Sequence, residues 1–129
     1  MSRAAEVRAA VAELVDAFAS NDTARYFACF SEDATFVFHT LAQPLQSREA
    51  YQTLWQQWQA EGFVVLNCSS SNAHVSLQSE VAIFIHDVAT HLRVGGEELH
   101  LSERETIVLR REEERWLACH EHLSALSAS

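Results

Sequence analysis

The chain changes its apolar period near Gly62, and that change limits the folds open to it. Before Gly62 the apolar residues recur mostly at helical spacing; from Phe63 onward they alternate or run in short blocks between turn residues. Helices first and strands second point to an α+β domain. Val7, Val11, Leu14 and Phe18 make one stripe and predict a helix over about residues 3–20. Asn21-Asp22 stops it, and the Asp22 side chain can cap a short helix over about 23–30 that carries Tyr26, Phe27 and Phe30. Ala34–His39 is aromatic and β-branched and reads as a strand. Ser47 caps a third helix with Glu49 in its first turn, Tyr51, Leu54, Trp55 and Trp58 form its buried stripe, and Gly62 ends it. Four strands follow, from Phe63 to about Ser76, Val81–Val94, Leu99–Arg110 and Arg115–Ser124. Gly95-Gly96 is the strongest hairpin signal among their turns. The small, polar tail over 125–129 is expected to fray.

Three helices on one face of a strongly bent antiparallel meander make a cone with an interior. The expectation is therefore a cone-shaped α+β fold, three N-terminal helices packed on a strongly curved antiparallel sheet. At 129 residues it forms a single domain over 1–129. The net charge of −9 opposes nucleic acid and anionic membrane surfaces as partners. All nine basic residues are arginine, so lysine Schiff-base and pyridoxal-phosphate chemistry are excluded. Three cysteines, an odd number without CxxC spacing, suit a reducing compartment. No apolar run approaches the ~20 residues that span a bilayer. The first helix holds Glu6, Glu13 and Asp16, unlike a signal peptide, and a cytoplasmic location is expected.

Chemistry is densest in the last strand. Simple alternation places Trp116, Ala118, His120, His122 and Ser124 on one face, and Leu117, Cys119, Glu121 and Leu123 on the other. Two imidazoles and a hydroxyl in a row suit acid–base work or polar anchoring better than core packing. On the neighbouring strand Arg104 and Thr106 share a face; turned inward, they would hold an anion and donate a hydroxyl.

Three motifs carry a resemblance over about residues 4–124: Phe30-Ser-Glu-Asp-Ala-Thr35 at a helix-to-strand junction, Arg104-Glu-Thr-Ile-Val-Leu109 in the penultimate strand, and Trp116–Ser124 in the closing strand. On these the chain resembles the SnoaL-like branch of the nuclear-transport-factor-two-like superfamily, and it is similar to the association domain of calmodulin-dependent kinase II and its bacterial relatives. The resemblance implies a cone-shaped fold, commonly a homodimer, with a pocket inside the cone. It implies no single activity, since the superfamily holds isomerases, cyclases, dehydratases, metal-free carbonic anhydrases and pure assembly modules. Ketosteroid isomerases need a tyrosine in the first helix and an aspartate base near the end of the first strand. Alignment on Glu32–Thr35 puts Leu14 and Phe38 there, which argues against that chemistry in its usual form.

The leading expectation is a protein that holds a small organic molecule in the cone. His120 and His122 would act as acid–base groups for cofactor-independent isomerisation, cyclisation or dehydration. Arg104, Thr106 and Ser124 would add polar contacts, Tyr26, Phe38 and Trp55 walls, and His39 a rim group. Two histidines at i, i+2 can reach one ion, but zinc needs further ligands, and the spacing selects none among His39, His86, His91, Glu103 and Asp87. Neither metal nor cofactor is expected. The rival is a non-catalytic homo-oligomeric module that buries Leu117, Cys119 and Leu123 against a partner subunit. A weaker alternative is carbonic anhydrase-like hydration, because His120, His122 and Ser124 are similar to that group's closing run. GxSxG, P-loop and GxGxxG patterns are missing from the sequence.

Overall fold

A computed structural model describes residues 1–126 of the chain. Most of the tail expected to fray, residues 127–129, lies outside the described residues. Helix α1 runs Arg3–Ala19, capped by Ser2, whose side-chain oxygen accepts from the Ala5 N–H. Such a cap contributes about 1 kcal/mol. Its buried stripe is Val7, Val11, Leu14 and Ala17. Helix α2, Thr23–Ala28, starts on Asp22 and stops before Phe30, where strand β1 (Phe30–Phe38) already begins. Helix α3, Arg48–Ala60, starts on Ser47. It ends with Gly62 at φ 88° and paired bonds from Gly62 N to Gln59 O and from Phe63 N to Trp58 O. That double closure needs a residue with positive φ, which glycine supplies without strain.

Strands β2 (Val64–Gln78), β3 (Val81–Val94), β4 (Glu97–Glu112) and β5 (Arg115–Ala125) form the expected antiparallel meander. Gly95 and Gly96 both take positive φ in the two-residue turn between β3 and β4. The sheet order is β1-β5-β4-β3-β2, and β1 pairs with β5 in parallel. The sheet is therefore mixed, not wholly antiparallel. Nearly eighty residues separate β1 from β5, so no hairpin sets their direction, which follows from the path of the chain through α3.

Bulges bend the long strands. The β2–β3 register slips between Val65 and Asn67 and again between Ser71 and His74, and the β4–β5 register slips at Val108/Leu109. Each slip adds local twist, and the sheet curls around the helices. Tyr26, Phe27, Phe30, Phe36, Tyr51 and Trp55 are all buried between helices and sheet. Their rings meet edge-on or tilted, with the Phe36 and Tyr51 centroids 4.7 Å apart. Burying each such ring contributes about 1.5–3 kcal/mol. No helix among the described residues is long and apolar enough to cross a membrane.

Candidate active site inside the cone

The curled sheet and the helices leave a cavity of about 390 Å³. Leu14, Val15 and Phe18 of α1, Tyr26 of α2, Tyr51 and Trp58 of α3, and Phe63 wall one side. The inner faces of β3, β4 and β5 supply Val88, Thr90 and Leu92, then Leu99, Leu101, Glu103 and Glu105, then Glu121 and Leu123.

One residue decides which side chains of β5 enter this cavity. Val108 pairs with His120 and Leu109 with Ala118, so Cys119 is an extra residue without a partner on β4. Trp116 and Ala118, before the bulge, are buried. Beyond it the phase reverses: Glu121 and Leu123 face the cavity, while His122 and Ser124 are exposed. This corrects the expectation that His120, His122 and Ser124 line the pocket. On β4, which has no bulge of its own, Glu103, Glu105, Ile107 and Leu109 are buried in alternation, which turns Arg104 and Thr106 outward. Their expected place in the pocket is corrected likewise. Leu123, expected on the outside, is part of the wall.

The outward groups satisfy one another. His120 Nδ1 lies 2.8 Å from Thr35 Oγ1, and its ring packs edge-on against His122. Burial, then the adjacent His122, pull the His120 imidazole below its ordinary pKa. Arg104 Nε donates to Asp87 at 2.8 Å, so this arginine already has its carboxylate. Thr106 stands opposite His122, and the Ser124 hydroxyl donates to the Arg104 carbonyl at 3.5 Å.

The inner groups make a different set. Glu103 Oε2 meets His39 Nε2 at 2.5 Å where β1 ends. Glu105 Oε1 meets His86 Nε2 at 2.7 Å, and His86 Nδ1 meets Ser70 Oγ at 2.5 Å. His86 is 0% exposed, so both its ring nitrogens are matched away from water. Glu121 is 1% exposed, and its Oε2 has no hydrogen-bond partner among the described residues. Burial first, and then the nearby Glu105, push the Glu121 carboxyl well above the usual carboxylate range. Burial without a partner favours the protonated form, because the charge of the ionised form would go uncompensated there. The Tyr26 and Tyr51 hydroxyls share a buried 2.8 Å hydrogen bond, and burial raises both well above their ordinary pKa. The Cys68 thiol on the same wall is pushed up to about 11 by burial, and so stays protonated.

Of the residues expected from sequence, Tyr26 and Phe38 stand in the cavity wall and His39 touches it through Glu103. Trp55 is 0% exposed in the core, with its Nε1–H donating to Thr23 Oγ1, and does not reach the cavity. Glu105 and Glu121 are the residues sequence reasoning missed. A signal existed for Glu103 and Glu105, which fall in step with Leu99, Leu101, Ile107 and Leu109 along β4. Among the described residues, no group of three His, Cys, Asp or Glu side chains is arranged to hold a metal ion.

Several solved structures share this architecture. An NTF2-like protein from Cytophaga hutchinsonii superposes with a TM-score of 0.85 at 11% identity, covering 98% of this chain and 100% of the other. A ketosteroid isomerase-like protein from Erwinia carotovora gives 0.83 at 14%, with 96% of each chain covered. The CaMKII hub homology domain of Chlamydomonas reinhardtii gives 0.80 at 21%, covering 98% and 100%. At these identities the likeness is one of fold. The chain matches no curated protein. The family model of the SnoaL-like domain matches residues 7–128, almost the whole chain, and with the cone, its mixed sheet and its inner cavity in view, the chain belongs to the SnoaL-like domain family.

Proposed function

We propose that this protein holds a small, largely apolar organic molecule in the cone and moves a proton on it with carboxyl groups, without a cofactor. The observation that carries this reading is Glu121, a buried carboxyl on the cavity wall with an oxygen that no group among the described residues satisfies. A buried polar atom left open costs about 1–3 kcal/mol, and a ligand that fills the site recovers it. Glu105 lies diagonally across the sheet from Glu121, with His86 and Ser70 behind it. Two neighbouring carboxyls in a dry site hold one proton between them more readily than none. Glu121 then acts as the acid and Glu105 as the base. His86 holds the Glu105 carboxyl in place and takes up part of its change in charge. Isomerisation, cyclisation and dehydration all fit such a pair. His120 and His122 are not needed for it.

The test is solvent deuterium exchange into the α-positions of β-tetralone, a small neutral ketone of suitable size, followed by NMR. The protein raises exchange above buffer, and E105Q lowers that gain by about a hundredfold with the fold intact. No gain with the wild-type protein, or a gain untouched by E105Q, overturns the acid–base reading.

A second reading is supported by the likeness to the hub homology domain: self-association of the chain through the outer face of its sheet. Ile85 is exposed there, on β3 beside Thr106. A dimer by analytical ultracentrifugation that I85R turns into a monomer supports it, and a monomeric wild-type protein overturns it.

A further inference from the structure

The charged side chains of the cavity are unbalanced in sign. Glu61, Glu103, Glu105 and Glu121 line it, and no arginine or histidine is among its lining residues. The chain has no lysine to supply, and its arginines point elsewhere: Arg104 is spent on Asp87, Arg110 on Asp33 and Glu112, and Arg25 on Glu13 and Asp16. His39 and His86 each bond one oxygen of their glutamate. Oε2 of Glu121 is buried and has no partner among the described residues. Beside the Glu103 and Glu105 carboxyls, that open acceptor calls for a head group rich in donors. A carboxylate or phosphate would bring a like charge against it in a medium of low dielectric and find no cationic side chain. An alkylammonium carries three N–H donors and no acceptor. The aromatic rings of Trp58 and Phe63 stand across the same space, and such faces attract organic cations.

We propose that the cavity takes a hydrophobic amine as its cation, with the ammonium donating to Glu105 and to the open oxygen of Glu121, and the apolar body lying against Trp58 and Phe63. This rests on the reading of the cavity as a small-molecule site and names the chemical class of its occupant. Glu121 accepts through its open oxygen, and Glu105 is the counter-ion. A metal ion would need three ligands converging on one point, an arrangement not found among the described residues.

Three probes of one skeleton test this on the full chain by isothermal titration calorimetry: phenylbutylamine, phenylbutanol and phenylbutyrate. The amine binds about tenfold or more tighter than the alcohol, as one charge-assisted hydrogen bond in a desolvated site implies, and the carboxylate is the weakest. E105Q removes the counter-ion, keeps an oxygen for His86, and erases the preference for amine over alcohol. If E105Q does not fold, E121L carries the same test: it removes the open acceptor, orphans no known partner, and narrows the preference. Alcohol or carboxylate binding as tightly as the amine overturns the cation inference and leaves the small-molecule reading standing. No binding of any of the three overturns both. An amine preference that survives E105Q and E121L overturns the placement of the ammonium.

Discussion

The two faces of β4 and β5 carry similar residues in opposite circumstances. Outside, Arg104 pairs with Asp87, and His120 with Thr35, beside solvent. Inside, Glu105 pairs with His86, Glu103 with His39, and Glu121 Oε2 with none of the described residues. An exposed ion pair is screened by water and adds little. Glu105, His86 and Glu121 are buried, so each match or mismatch among them has a large effect. Catalytic and binding potential follows from that difference in solvation, more than from which residue types stand in a row.

The inner carboxyl–imidazole pair is where a substitution has its largest effect. E105A leaves His86 without its carboxyl in a place water does not reach. It costs about 3 kcal/mol or more, seen as a lower urea midpoint. D87A, the outer counterpart, leaves the midpoint within error.

A gain of stability sharpens the comparison further. E121L replaces an unsatisfied buried carboxyl with an apolar side chain and raises stability by about 1–3 kcal/mol in urea. The acid–base linkage has a definite sign as well. Glu121 holds its proton more tightly in the folded chain than at its ordinary value of 4.5, so the unfolded chain binds fewer protons above that pH. Its contribution is fully present below pH 4.5 and is lost as the pH rises towards the folded value. Wild-type stability therefore falls relative to E121Q as the pH rises above 4.5 in parallel denaturation series. The smallest effect belongs to H122A, which leaves amine binding and β-tetralone exchange unchanged.

Sequence showed what is decided locally. Ser47 begins α3, Gly62 ends it and Gly95-Gly96 turns the chain, because each acts on its own neighbouring backbone. The direction of β1 and the inner face of β5 depend on pairing between distant strands. Trp116 and Leu123 did hold a clue. Both are apolar, and they stand an odd number of residues apart, so simple alternation cannot put both on the core side. One extra residue between them resolves this, and its place at Cys119 is set by the register with β4. The carboxyl site was hidden for the same reason: a glutamate on a strand reads as a solvated residue until the face it occupies is known.

Glu121, and not the histidine row, faces the cavity. The most direct test is a pH titration of the Glu121 side-chain carboxyl carbon by NMR, assigned by comparison with E121Q. With Glu121 facing the cavity, its signal holds the protonated position to a higher pH than those of the surface glutamates. A Glu121 that titrates together with those surface glutamates would put it on the outer face and contradict the account.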